Sequence, residues 1–145
     1  MDFVLYADGG SRGNPGPAAY GTVIYRADGT KVVEIAEFLG TATNNVAEYN
    51  GLVAGLKYLA EFHPDAKVEV RMDSKLVVEQ MSGRWKIKHP DMRDLALIAN
   101  KLFPAQQLRF VWIPRAENSA ADAMANRALD LAAAGITEKI IETYI

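Results

Sequence analysis

Apolar and polar residues alternate with different periods along the chain, and each period predicts a type of element. Residues 3–7, 19–26 and 31–39 are rich in β-branched and aromatic side chains, which predicts three strands at the start of the chain. Asp28 and Gly29 form a typical turn dipeptide between the second and third strands. The first run is continuously apolar, as in a strand buried on both faces, and we expect the second strand to run antiparallel to it.

After the third strand the period lengthens to that of a helix. Apolar side chains recur at helical spacing from residue 45 to 62, and Pro64 lies just beyond that segment. Residues 67–72 then alternate as a fourth strand, and residues 108–113 form a fifth. Further helices are predicted over residues 74–81, 90–102 and 118–134, the last of them alanine-rich and opening on an asparagine-serine cap.

This order of elements predicts an α/β fold in which a mixed five-stranded sheet carries helices on both faces. The length of 145 residues suits one domain, and we expect a single domain over residues 1–145. The last segment, residues 136–145, is compatible with a strand, a turn of helix or the start of a second domain. Excision of the domain from a longer bifunctional chain therefore stays open.

The composition excludes several classes of protein. The chain has no cysteine, which excludes disulfides and thiolate metal ligands, and no apolar run near the roughly 20 residues of a membrane span. Its first residues show no export signal, so we expect a cytoplasmic protein without a membrane partner. We also expect a monomer. A net charge of −2 argues, taken alone, against a nucleic-acid partner.

A glycine-rich segment follows the first predicted strand. Residues 8–17 read DGGSRGNPGP, which has the glycines of a phosphate-binding loop but not its lysine. The segment also leads into a strand, so no helix N-terminus is available there for a phosphate. The alternative is a plain glycine-rich hairpin connection.

Four acids lie at positions that favour one shared site. Asp8 and Asp73 each follow a predicted strand, so they project from the same edge of the sheet if those strands are parallel neighbours. Glu48 lies in the first turn of the long predicted helix, on a glycine-containing face that packs on the sheet. Asp122 begins an inward-facing stripe of small residues in the last predicted helix.

Each acid also has an ordinary structural interpretation. Glu48 fits a capping box with Asn45. Asp73 fits an N-cap of the helix that starts at Ser74, and Asp122 fits an ion pair with an arginine. Together these interpretations are weaker, because four converging carboxylates repel one another unless a cation neutralises them.

The type of ligand indicates the type of metal. Oxygen ligands without a thiolate favour a hard cation, Mg²⁺ or Mn²⁺, and shared carboxylates suit two ions that promote in-line attack at phosphorus. Such a site removes the objection from net charge. Without the four acids, 14 of the 18 acidic side chains remain against 16 lysines and arginines, so the rest of the chain has a net charge of +2.

Four motifs, each with one of the acids, follow one another along the chain: DGGSRGNPGPAAYG, TNNVAEYNGL, DSKLVVEQMSGRWK and ENSAADAMAN. Together they resemble the type 1 ribonuclease H family over nearly the whole chain, in the form without a basic protrusion. The resemblance implies a ribonuclease H fold and an endonuclease that cleaves the RNA strand of an RNA/DNA hybrid duplex, leaving 5′-phosphate and 3′-hydroxyl ends. It implies two Mg²⁺ ions, replaceable by Mn²⁺, on the catalytic residues Asp8, Glu48, Asp73 and Asp122.

The resemblance also implies contacts to the hybrid. Amide side chains can meet base edges and 2′-hydroxyls, which suits Asn14 and the pair Asn44 and Asn45, while Thr43 suits a DNA phosphate. The full set of expected substrate contacts is Gly9, Gly10, Ser11, Asn14, Thr43, Asn44, Asn45, Ser74, Lys75, Trp85 and Lys86.

Two features depart from the family pattern. Members often carry a histidine in the loop before the last acid, whereas this chain offers Arg115 as its catalytic candidate there. An arginine can bind phosphate or stabilise developing charge, but it cannot shuttle protons near neutral pH. The inserted basic helix of some members is also missing. In its place the chain has a basic group around Trp85, which forms either a reduced phosphate-binding patch or a solvated charged loop with a core tryptophan. Its members are Arg84, Lys86, Lys88 and Arg93.

Two other functions stay open at the level of sequence. One is a non-catalytic module that binds hybrids, although such a module has no need of all four acids. The other is a nuclease or transferase with another substrate, such as duplex DNA. The asparagine pair and the glycine segment argue against it only by resemblance.

Overall fold

The chain folds into one mixed sheet with helices on both faces, as a computed structural model that describes residues 1–144 shows. Within these residues, no helix has both the length and the apolar composition of a bilayer-spanning segment. The elements are β1 (Phe3–Ser11), β2 (Gly16–Arg26), β3 (Lys31–Ala42), α1 (Asn44–Phe62), β4 (Val68–Met72), α2 (Lys75–Met81), α3 (Pro90–Leu102), β5 (Leu108–Trp112), α4 (Ser119–Ala133) and β6 (Ile140–Thr143).

The strand order of the sheet is β5-β4-β1-β2-β3-β6. β1 runs antiparallel to β2 and parallel to β4, as expected. The parallel ladder between β1 and β4 ends at the pair Tyr6 and Arg71. Asp8 and Asp73 each lie two residues farther along, so they meet where the two strands separate.

The predicted count of five strands is wrong, because Ile140–Thr143 forms a sixth. This short strand pairs antiparallel with β3, from Ala36 opposite Ile140 to Val33 opposite Thr143. Four residues carry too little periodicity to distinguish a strand from a turn of helix. The pairing with the exposed edge of β3 decides between them.

Two apolar cores lie on opposite faces of the sheet. Successive residues of a strand point to opposite faces, and in β2 Ile24 belongs to the core under α1 and α3, whereas Val23 belongs to the core under α4. Both side chains are fully buried, as are Leu52 and Leu56 of α1. Burial of each such side chain contributes about 1.5–3 kcal/mol to folding.

Helix α4 lies directly on the backbone of β2. A Cβ atom built at Gly21 would overlap the main-chain oxygen of Ala121 and would lie 2.6 Å from the nitrogen of Ala125. Glycine is therefore needed at this position for a packing reason, and the contact sets how far the start of α4 stands from the sheet.

We expect Gly21→Ala to lower the free energy of unfolding by about 1–3 kcal/mol, because the added methyl group forces α4 away from β2. Gly10→Ala on the neighbouring strand is the matched control, since a Cβ there meets nothing within 4 Å. Urea denaturation of both variants measures the difference. Equal stability of the two would contradict the close contact between α4 and β2.

Candidate active site

The glycine-rich segment is mostly strand rather than loop. β1 continues past Asp8 to Ser11, with Gly9 opposite Tyr20 in β2. Only residues 12–15 form the connection, in which Gly13 has a φ of +102°. A Cβ atom at Gly9 would overlap the main chain of α1 at Ala47 and Glu48. The missing side chain thus lets α1 approach β1 beside Asp8.

Three of the four predicted acids form one cluster. Asp8 in β1, Glu48 in α1 and Asp73 after β4 each offer a carboxylate oxygen, and these oxygens all lie within 4.8 Å of one another. Asp8 is buried, and the other two are half-buried. Asp122, in the first turn of α4, lies outside this group but lines the same cleft.

Capping does not explain these acids. Helix α1 is capped by Thr43, whose hydroxyl oxygen accepts a hydrogen bond from the N–H of Val46 at 3.3 Å. Helix α2 is capped by Ser74, which accepts from the N–H of Val77 at 3.3 Å. The ion pairs within residues 1–144 include none of the four acids. The ordinary interpretations of Glu48, Asp73 and Asp122 are therefore wrong.

The electrostatics of the cluster favour a bound cation. Burial and, next to it, the charge of Asp73 together raise the pKa of Asp8 to about 7. Burial also raises the pKa of Glu48 well above its ordinary value, with the charges of Asp8 and Asp73 as further causes. Oε2 of Glu48 is buried and has no hydrogen-bond partner among the described residues. A hard divalent cation fits this set, because it accepts oxygen ligands and stabilises their charged forms.

The acids lie in a cleft of about 410 Å³. Arg115 lines it from a short 3₁₀ turn, Arg115–Glu117, ahead of α4, and its side chain is exposed. The predicted site residues in the lining are Asp8, Gly9, Gly10, Ser11, Asn44, Glu48, Asp73, Arg115 and Asp122.

Two of the predicted asparagines connect the glycine strand to α1. Oδ1 of Asn44 accepts a hydrogen bond from the N–H of Ser11 at 2.7 Å, and Oδ1 of Asn14 accepts one from the N–H of Asn44 at 3.1 Å. Both residues are exposed, and Asn44 lines the cleft. Asn45 is exposed at the start of the same helix.

Several predicted contacts lie outside the cleft lining, namely Asn14, Thr43, Asn45, Ser74, Lys75, Trp85 and Lys86. Lys75 is exposed, with Nζ 3.6 Å from Oε1 of Glu79 and 5.7 Å from the centre of the Trp112 ring. Its charge is thus already shared with two neighbours.

The connection between α2 and α3 spans residues 82–89 and contains no helix, so a basic protrusion is absent, as the sequence predicts. Trp85 is 47% exposed there, which rules out a core tryptophan. Arg84 donates to Glu79 at 2.6 Å, so part of the basic charge is neutralised. Lys86 is exposed beside Trp85.

Sequence reasoning missed two residues that touch Asp73. The indole N–H of Trp112 donates to the main-chain oxygen of Asp73 at 3.2 Å. Nδ2 of Asn118 donates to the main-chain oxygen of Ala7 at 2.9 Å and to Oδ1 of Asp73 at 3.1 Å. Asn118 matched a helix cap in the sequence, and no local signal pointed to these partners.

Known proteins resemble the chain over most of its length. A family model described as reverse transcriptase-like matches residues 6–128. The bifunctional protein Rv2228c of Mycobacterium tuberculosis is 53% identical over 135 residues, which cover 92% of this chain but only 37% of that protein. Ribonuclease HI of Halobacterium salinarum is 46% identical over 126 residues, which cover 86% of this chain and 63% of that protein.

The fold is shared with solved structures. The crystal structure of LC11-RNase H1 in complex with an RNA/DNA hybrid matches with a TM-score of 0.84 and 44% sequence identity, covering 90% of this chain and 99% of that one. Together with the family model and the similarity to a ribonuclease HI, this match confirms the ribonuclease H fold. The chain therefore belongs to the reverse transcriptase-like family and, within it, to the type 1 ribonucleases H.

Proposed function

We propose that the chain is a ribonuclease H that hydrolyses the RNA strand of RNA/DNA hybrid duplexes. The observation that carries this proposal is the cluster of Asp8, Glu48 and Asp73 oxygens within 4.8 Å, in a cleft that the glycine strand lines. A module that only binds hybrids has no need of buried, mutually repelling acids. The names of the Halobacterium relative and of the LC11 complex support the choice of substrate.

The acids suit two divalent ions, with Mg²⁺ as the proposed cofactor and Mn²⁺ as its substitute. Asp8, Glu48 and Asp73 would hold them together with Asp122. When bound, such ions supply an activated water for attack at phosphorus and stabilise the leaving 3′ oxygen, which yields 5′-phosphate and 3′-hydroxyl ends. The buried, unpartnered Oε2 of Glu48 supports this assignment, since a cation would satisfy it.

The residues around the acids suit contacts to a hybrid. Gly9 and Gly10 present main chain to the cleft without side chains that would keep a sugar away. Asn14, Asn44 and Asn45 are exposed, and amide groups can donate to 2′-hydroxyls, which distinguish RNA from DNA.

An outer set of contacts is proposed beyond the cleft. Thr43 and Ser74 lie at helix starts and suit phosphate oxygens. Trp85, with Lys86 beside it, presents an aromatic surface to solvent on which a sugar or base can stack. Lys75 suits a phosphate as an exposed cation.

Cleavage of RNA/DNA, RNA/RNA and DNA/DNA duplexes with Mg²⁺ or with EDTA tests the function. We expect cleavage only of the RNA strand of the hybrid and only with the metal. Asp73→Asn should lower kcat about 1,000-fold, because it removes several kcal/mol of metal-dependent transition-state stabilisation. The matched control is Asp94→Asn, a change at an exposed acid of α3. Full activity of Asp73→Asn, or cleavage of duplex DNA, would contradict the proposal.

Asn14→Ala should weaken hybrid binding about 3- to 10-fold, as expected for the loss of one hydrogen bond, and should leave Mg²⁺ binding unchanged. Fluorescence anisotropy with a labelled hybrid in Ca²⁺ measures the first effect, and calorimetry with Mg²⁺ measures the second. Asn50→Ala is the control, because the amide of Asn50 bonds within α1, to the oxygen of Val46. Unchanged hybrid affinity in Asn14→Ala would remove Asn14 from the interface.

Arg115 is proposed to stabilise charge that develops on the phosphate, since it lines the cleft and is exposed. We expect Arg115→Ala to lower kcat up to about 100-fold with a smaller change in KM. Arg127→Ala is the control, because Arg127 lies on α4 and pairs with Glu142. Single-turnover and steady-state rates separate the two constants. A rise in KM with unchanged kcat would assign Arg115 to binding alone.

A further inference from the structure

Asn118 connects β1, the end of β4 and α4, which position Asp8, Asp73 and Asp122, although it has no charge itself. It immediately precedes α4, and only 1% of it is exposed. Its Nδ2 donates two hydrogen bonds to residues distant in the chain. One goes to the main-chain oxygen of Ala7, the residue before Asp8, and the other to the carboxylate of Asp73. One side chain thus joins the middle of β1 and the residue after β4 to the beginning of α4.

Helix capping does not account for this side chain. An asparagine before a helix ordinarily accepts a hydrogen bond from an N–H of the first turn. Asn118 makes no such bond, and its Oδ1 is buried without a partner among residues 1–144. A buried polar atom without a partner costs about 1–3 kcal/mol. This cost favours a role for Asn118 other than the stability of the helix.

The bond to Asp73 restricts the orientation of a carboxylate. The last torsion of an aspartate side chain has a broad, two-fold profile, so an unrestrained carboxylate rotates readily. With Oδ1 of Asp73 bonded to Asn118, the carboxylate plane is held relative to Asp8 and Glu48. Groups that orient metal ligands in this way change metal affinity or activity about 10- to 100-fold.

We propose that Asn118 is a positioning residue that holds the Asp73 carboxylate in the orientation needed for metal binding. This inference rests on the proposed function, because it takes Asp8, Glu48 and Asp73 as the metal ligands. Asn118 acts through Asp73. Its second bond, to Ala7, anchors the asparagine to the strand that carries Asp8 and so fixes the two acids relative to each other.

Binding of Mg²⁺ to the full chain without nucleic acid tests the proposal by calorimetry. We expect Asn118→Ala to weaken Mg²⁺ binding about 10- to 100-fold. Asn118→Ser, whose hydroxyl keeps one donor, should weaken it less. Asn100→Ala, at an exposed position of α3, should leave it unchanged. Thermal unfolding without Mg²⁺ checks that each variant is folded, and the serine variant replaces the alanine variant if the latter is not.

A double-mutant cycle separates orientation of Asp73 from a general loosening of the site. If Asn118 acts through Asp73, Asn118→Ala has little further effect on Mg²⁺ affinity in the Asp73→Asn background. Full additivity of the two changes, or parental Mg²⁺ affinity in Asn118→Ala, would overturn the proposal.

Cleavage assays on the same proteins distinguish failure of this inference from failure of the proposed function. A parent protein that binds Mg²⁺ but cleaves no hybrid contradicts the function, while a loss of Mg²⁺ affinity in Asn118→Ala still supports the role of Asn118. A parent that cleaves hybrid, together with an Asn118→Ala variant that binds Mg²⁺ as the parent does, contradicts the role of Asn118 alone.

Discussion

Repulsion between buried carboxylates is the constraint on which the rest of this structure depends. At a separation of 4.8 Å, two full charges repel by about 3–4 kcal/mol at an effective dielectric constant of about 20. The raised pKa values of Asp8 and Glu48 are the direct consequence of burial and of this proximity. A chain that holds such groups together must do so with rigid elements, and β1, β4 and α1 are each anchored by the larger apolar core.

Close contacts between backbones place the acids. Gly9 lets the main chain of α1 approach β1, and Gly21 lets α4 lie on β2. Gly55 also brings α1 close to β1, although the nearest atom that a Cβ there would overlap belongs to the side chain of Leu5. Glu48 and Asp122 belong to α1 and α4, the two helices that pack closely on the sheet at these glycines. The short distance between helix and strand, rather than the length of a side chain, therefore brings an acid of a helix, such as Glu48, close to an acid of a strand, such as Asp8.

The surface around the cleft is only modestly basic. Lys75 and Arg84 share Glu79, and Arg12, which also lines the cleft, pairs with Asp130. With the connection of residues 82–89 in place of an inserted basic helix, recognition of a hybrid would depend more on amide and main-chain groups than on charge. Hydrogen bonding of this kind favours discrimination of the sugar, whereas charge alone would favour any nucleic acid.

Much of the fold and of the candidate site was predictable from the sequence, because both have local signals. Periodicity indicated five strands and four helices, and the helix over residues 90–102 was placed with its observed bounds. Asp8, Glu48, Asp73 and Asp122 could be selected because strand ends and helix faces follow from local pattern. The alternative roles of Glu48 and Asp73 as helix-capping residues also followed from local pattern. They are wrong because Thr43 and Ser74 are the N-cap residues of α1 and α2.

The sequence by itself thus determined the order of the elements from β1 to α4, the choice of the four acids as site candidates and the family. Only the tertiary structure decided the sixth strand, the exposure of Trp85 and the hydrogen-bond partners of Asn118. Strand β6 depends on a free edge of β3, which no local pattern reports. Asn118 bonds to Ala7, which is 111 positions away in the chain, and to Asp73, which is 45 positions away. A local pattern that resembles a helix cap carries no information about partners at such separations.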